Sequence, residues 1–232
     1  MNIPSDKFKK FYEEDAKLKK QILPEECVLE ELRTKLAFSI IPKDIESVLD
    51  VGCGEGYLCS ILSKKVKLVS GIDISRIRIK KAKKRFKKMV FKIANILSLP
   101  YDNDSFDLVL AVTTLEHVPN LKEAIKEMIR VSRKYIAFVV PYKMKPIKIV
   151  CFHCLKKFYL FGHIHYFDEK LIKKIAKGNE LRIIRIKKLA RLPYLMFKSY
   201  PEFIKDFLNM IITKKYATNI GVLLKINSYR KR

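Results

Sequence analysis

The residues best placed to do chemistry lie between Ser47 and Ser75, SVLDVGCGEGYLCSILSKKVKLVSGIDIS. Asp50 is followed by glycines at alternate positions, Gly52, Gly54 and Gly56, and a second acidic residue, Asp73, stands 73 − 50 = 23 positions after it. Glycines so spaced let the backbone turn tightly and approach a ligand that side chains would keep away. A carboxylate at the position of Asp73 falls about where nucleotide-binding βαβ units hold ribose hydroxyls. The chemistry implied is capture of a ligand that carries a nucleoside. The GxGxxG spacing of dinucleotide sites is absent.

A second group is Cys151, His153, Cys154, His163 and His165, three of the four histidines and two of the five cysteines within 15 positions. Two thiolates and two imidazoles can close a tetrahedral zinc site, which would then be structural rather than catalytic. A metal-free loop of clustered aromatic residues is the other reading. His117 stands alone, just past a predicted strand, where ligands bind in sheets of this kind. It has two readings, a general base for an acceptor hydroxyl or amine and a positioning residue.

These residues need a scaffold, and the hydrophobic pattern supplies one. Val48, Leu49 and Val51 read as a first strand, and a helix and a second apolar strand ending at Asp73 follow. Ser75 is placed to cap a basic helix over Arg76 to Lys88, whose default meaning is a solvated face. Further strands are expected at Val90 to Ile93, Phe106 to Val112, Lys134 to Val140, Arg182 to Leu189 and Ala217 to Ile226. Helices are expected over Leu121 to Val131 and from Asp168 to Lys177, the latter with Gly178 as its C-terminal cap. Phe8, Phe11, Tyr12 and Leu18, then Leu29, Leu32 and Leu36, recur at helical spacing, which predicts two helices before the first strand.

Several of these stretches resemble one family. Asp50-Val-Gly52-Cys-Gly54-Glu-Gly56 resembles motif I of the class I S-adenosylmethionine-dependent methyltransferases, and Gly71-Ile-Asp73-Ile-Ser75 the motif that follows it. FDLVLA from Phe106 and LEHVP from Leu115 resemble signatures of the type-11 subgroup. The resemblance implies a Rossmann-like α/β fold: a seven-stranded, mostly parallel sheet with helices on both faces, an N-terminal helical cover and two cap insertions. It implies methyl transfer from S-adenosylmethionine to an acceptor, with Asp50, Gly52, Cys53 and Gly54 around the methionine part and Asp73 and Ile74 at the ribose. Asn95 stands where the family usually has an aspartate facing the adenine amino group. Its amide oxygen can still accept that bond, with the Ile96 N–H facing the ring. Tyr12 matches a tyrosine that approaches the cofactor from the N-terminal segment, or is simply a packing residue. The insertion resembles a CxxC-plus-His segment of some type-11 members, which implies zinc on Cys151, Cys154 and His163, with His165 or His153 as the fourth ligand.

The organisation expected is one domain over 1–232: helical cover 1–42, cofactor core 43–140, Cys/His insertion 141–167, and a C-terminal part 168–232 with an apolar insertion 190–216. That last stretch reads as a lipid-facing helix or as a lid or dimer surface. Lys and Arg total 49 against 24 Asp and Glu, a net charge of +25. Such a balance favours nucleic acid or an anionic membrane face. Alternatively it is a thermophile's charged surface, consistent with seven Gly and no Trp. No long apolar run and a charged N-terminus point to a cytoplasmic protein. Three acceptor classes follow: a small molecule or lipid, a tRNA or rRNA base, or none at all in a non-catalytic RNA-binding module.

Overall fold

Strands buried on both faces of a parallel sheet read as nearly continuous apolar runs, and the central strands here do apart from the buried Ser47, Asp50 and Asp107. The computed structural model describes residues 5–18, 27–190, 201, 203–204 and 217–227. Apart from Ala190, Pro201, Phe203 and Ile204, the expected apolar insertion lies outside those residues. Strands β1 (Ser47–Val51), β2 (Leu68–Asp73), β3 (Val90–Ile93), β4 (Phe106–Val112), β5 (Ser132–Pro141), β8 (Leu181–Ala190) and β9 (Ala217–Ile226) form one seven-stranded sheet. Its order is β3-β2-β1-β4-β5-β9-β8, and only β9 runs against its neighbours.

Alternation along β4 and β5 sends side chains to two separate cores. Leu108, Leu110, Tyr135, Ala137 and Val139 face one side, and Val109, Ala111, Ile136, Phe138 and Val140 the other. Helices α2 (Val28–Ile40), α3 (Tyr57–Leu62) and α4 (Arg76–Arg85) cover the first face. Helices α5 (Leu121–Val131) and α6 (Glu169–Gly178) cover the second. The expected fold class is therefore the observed one.

Two local expectations are corrected. Gly178 lies inside the last turn of α6, and the left-handed residue that ends the turn is Glu180, at φ 53°. The 141–167 insertion is not a plain loop: it carries a separate hairpin of β6 (Lys148–Val150) and β7 (Lys157–Tyr159). The returning chain is pinned to the main body where the Ile164 N–H donates to the Glu116 carbonyl at 2.9 Å.

The N-terminal helix α1 (Ser5–Leu18) packs on α4 through an unusual cap. The Glu13 carboxylate accepts the backbone N–H of Arg76 at 2.7 Å and of Ile77 at 3.3 Å, and the Ser75 hydroxyl at 3.2 Å. Those amides are the unsatisfied donors of the first turn of α4, so an acidic group from another helix both completes and complements that end. Arg78 adds an ion pair to Asp15 at 2.8 Å. Capping contributes about 1 kcal/mol. Replacement Glu13→Ala is expected to accelerate protease cleavage within α1 about fivefold, as a loss of ~1 kcal/mol gives, with little change in the melting of the sheet. An unchanged cleavage rate would show that apolar packing alone holds α1.

Candidate functional site

In the order β2-β1-β4, the chain leaves β1 toward one face and β4 toward the other, which opens a crevice at the strands' carboxyl ends. The glycine loop fills the β1 side of that crevice. Gly52 has φ 78°, and a Cβ there would lie 2.3 Å from Thr114 Oγ1, so no other residue fits the turn. The amides of Gly52 and Cys53 both donate to the Ile72 carbonyl, at 2.8 and 2.9 Å, which locks the loop to the end of β2. Asp73 makes the next tie: Oδ2 accepts the Gly54 N–H at 2.9 Å and Oδ1 the Ser75 N–H at 2.8 Å.

Above the loop lies a cavity of about 330 Å³. Gly52, Gly54, Asp73, Ile74, Asn95 and Ile96 line it, together with Phe8 and Tyr12 of α1 and with Thr113, Thr114, His117 and Val118. The structure thus brings together most of the residues singled out from the sequence. Asn95 Oδ1 accepts the Leu97 N–H at 3.0 Å, a local turn that fixes the amide. Cys53 is an exception. Its thiol is buried in the core beneath the loop and its N–H is taken by Ile72, so it does not line the cavity. Asp50 also lies below, 2% exposed, accepting the Cys59 thiol at 3.3 Å, and it borders a smaller adjoining space.

The electrostatics are acidic and buried. Burial raises the Asp50 carboxyl to about 7, opposed by the Cys59 thiol and assisted by the Asp73 charge. Burial also raises Asp73, against the two backbone amides that favour its ionised form, and holds the Tyr12 phenol well above its usual value. His117 is lowered to about 4, first by burial and then by the neighbouring His163, so its imidazole is neutral at pH 7. Its Nδ1 lies 3.2 Å from the Gly162 carbonyl, which can only accept; the proton therefore sits on Nδ1 and the lone pair on Nε2.

The proposed zinc quartet does not assemble. No three of Cys151, Cys154, His163 and His165 bring ligand atoms within 4.8 Å of one another, and among the described residues the one such group is Glu116, His117 and His163. The physical reason is the hairpin, which carries Cys151 and the exposed Cys154 at its turn while the chain's return ties His163 and His165 to the Leu115–His117 turn. His165 Nε2 donates to the Val118 carbonyl at 2.6 Å and is not a free ligand atom.

Sequence reasoning passed over Phe8, Glu30, Arg78, Thr113 and Thr114, all of which line the cavity. Arg78 was counted within a solvated basic face, yet its side chain is 15% exposed and paired. The signal for Thr113 and Thr114 was their place directly after β4, beside the LEHVP stretch.

Asp50 yields a pH prediction. Its folded value, about 7, exceeds the ordinary 3.8, so the stability it contributes is complete below about pH 4 and is lost as pH rises through 7. The ligand-free wild type should therefore lose stability relative to Asp50→Asn between pH 4 and 7, by up to a few kcal/mol at about 1.4 kcal/mol per unit. Urea unfolding of both proteins across that range measures it; a constant difference would refute burial as the dominant effect.

A family model described as a methyltransferase domain matches residues 42–220. Ajmaline N-methyltransferase of Rauvolfia serpentina is 33% identical over 116 residues, which is 45% of this chain and 40% of that protein. The chain thus matches well under half the length of this curated relative. Among solved structures, an S-adenosylmethionine-dependent methyltransferase from Mesorhizobium loti superposes with a TM-score of 0.60 at 14% identity, covering 82% of this chain and 95% of that one. Geranyl diphosphate C-methyltransferase from Streptomyces coelicolor superposes with a TM-score of 0.61 at 14% identity, covering 85% and 78%. With 42–220 matched and the sheet order, glycine loop and Asp73 in place, the chain belongs to the class I S-adenosylmethionine-dependent methyltransferase family.

Proposed function

We propose that this protein transfers a methyl group from S-adenosylmethionine to a small acceptor, a metabolite or a lipid. The observation that carries the cofactor assignment is the acidic cavity on a chain of net charge +25. Asp73 and Glu30 line it and Asp50 lies buried under its loop, while the one cation in the lining, Arg78, is paired with Asp15 and Glu30 with Arg33. That sign suits a ligand that is itself a cation, with a sulfonium and an ammonium group, and opposes a polyanion. The donor set fits the rest of the molecule: a carboxylate at the end of β2 for ribose hydroxyls, Ile74 and Ile96 as apolar walls for a flat base, and a glycine loop whose backbone a chain can approach.

When bound, the cofactor supplies an already activated methyl group, so the protein's share of catalysis is alignment and exclusion of water. Helix α1 contributes to that purpose, since its Phe8 and Tyr12 help to line the cavity. The Tyr12 ring meets the His117 ring edge-on, with centroids 6.1 Å apart. His117, neutral and with Nε2 unprotonated, can receive a proton from an acceptor hydroxyl or amine. The site is thus a cavity partly covered by α1 rather than a basic groove. Ajmaline and geranyl diphosphate, which give two of the similar proteins their names, are not polymers either. The +25 charge favours the second reading, a tRNA or rRNA base as acceptor. Among the described residues no helix is long and apolar enough to cross a membrane.

Two measurements test the reading. Asp73→Ala should weaken S-adenosylmethionine binding about 10- to 30-fold by calorimetry, as loss of two hydrogen bonds at about 1 kcal/mol each implies. Unchanged affinity would refute the ribose assignment. Labelled methyl transferred into fractionated cell extract should appear in the lipid or small-molecule fraction. Label released by nuclease would instead establish the nucleic-acid acceptor.

A further inference from the structure

Beside the cavity lies a cluster that methyl transfer by alignment alone does not call for. Glu116 is 1% exposed, and among the described residues neither carboxylate oxygen has a hydrogen-bond partner. An unsolvated, unpaired carboxylate is among the costliest groups to bury, and such groups in folded proteins are paired, protonated or bound to a cation. Arg33 does not resolve this. Its charge is felt at Glu116, but Nη1 is directed to Glu30, and it donates nothing to Glu116.

What does face Glu116 is a pair of imidazoles. The ligand atoms of Glu116, His117 and His163 all lie within 4.8 Å of one another, and His117 Nε2 is 3.9 Å from Glu116 Oε1. Ligands of one tetrahedral ion with bonds of about 2 Å lie about 3.3 Å apart, so binding requires this pair to close by roughly 0.6 Å. The remaining nitrogens are held from behind. His117 Nδ1 donates to the Gly162 carbonyl at 3.2 Å, and His163 Nδ1 points at the Met144 thioether at 3.3 Å, which can only accept. Each ring therefore keeps its lone pair on Nε2, the arrangement found where a backbone or similar acceptor orients a metal-bound histidine. The 141–167 insertion is built to deliver this geometry, because the Ile164 N–H to Glu116 carbonyl bond sets His163 against the Leu115–His117 turn.

We propose that Glu116, His117 and His163 form a two-histidine, one-carboxylate site for a divalent transition-metal ion, open on the cavity side to an acceptor oxygen or nitrogen. Two nitrogens and one oxygen suit zinc, iron(II) or cobalt(II) rather than magnesium or calcium, which prefer oxygen. Three protein ligands leave a position free, unlike the closed four-ligand structural site expected from the cysteines. His117 both lines the cavity and belongs to the cluster, so a coordinated acceptor group would be held at the cavity wall, and with the ion bound Nε2 is a ligand rather than the proton acceptor of the metal-free site. The use of the ion in methyl transfer rests on the function proposed above; its binding does not.

The test is titration of the chelator-treated full-length protein with cobalt(II), read by visible absorption, with S-adenosylmethionine affinity measured on the same samples. One equivalent should bind with nitrogen and oxygen ligand-field bands and no thiolate charge-transfer band. His163→Ala and Glu116→Gln should each weaken cobalt binding about tenfold or more, whereas Cys151→Ser/Cys154→Ser should leave it unchanged. His163→Gln, milder in volume, gives the same readout if His163→Ala is unstable. Absence of binding, indifference to His163 and Glu116 substitution, or a charge-transfer band removed with the cysteines would overturn the proposal. Cobalt binding without S-adenosylmethionine binding would uphold the metal site and count only against the methyl-transfer reading.

Discussion

The Asp73 carboxylate is the point on which the active half of this fold depends. One oxygen holds the Gly54 amide of the glycine loop and the other holds the Ser75 amide at the start of α4. The start of α4 in turn is where Glu13 docks, and Glu13 belongs to the same helix as Phe8 and Tyr12. A single buried carboxylate therefore couples loop, helix and roof. The coupling is hydrogen-bonded throughout, so it is directional: each group has one geometry in which its donors are satisfied.

Around that point the charge distribution is the reverse of the surface's. The chain carries 49 Lys and Arg, yet Asp50, Asp73 and Glu116 are buried beside one cavity and all are raised by burial, Asp50 to about 7 and Glu116 to about 8. Such groups are stabilised by an arriving positive charge, whether an ammonium, a sulfonium or a metal ion. Several surface cations are already engaged: Lys81 and Arg85 approach the buried Glu55 at 3.1 and 3.8 Å, and Arg133 and Lys134 approach Asp107 at 3.2 and 3.5 Å. The net charge of the chain is thus a poor guide to the sign of its cavity.

The insertion after β5 shows how fold and site chemistry diverge. Its sequence suggested one metal centre from four nearby residues, but a hairpin separates what the chain places close together. Cys151 and Cys154 sit at the hairpin turn, where the Cys151 amide bonds the Lys156 carbonyl at 2.9 Å. His163 instead meets Glu116 and His117, about 46 residues earlier in the chain.

Strand and helix positions, the order of βα units and the identity of the glycine loop were legible in the sequence, because each rests on local periodicity or on a backbone conformation only glycine adopts. Gly52 is the clearest case: its φ of 78° and the Thr114 side chain against it admit no Cβ. Asp73 was legible because its distance along the chain is set by one helix and one strand. Only the tertiary structure decided the rest. Arg78 is half-buried because α1 lies over it, Cys53 turns into the core because its amide is bound to Ile72, and Glu116 meets His163 because a distant return segment pairs with its carbonyl. Each depends on contacts between residues far apart in the chain, which no local pattern of residue types encodes.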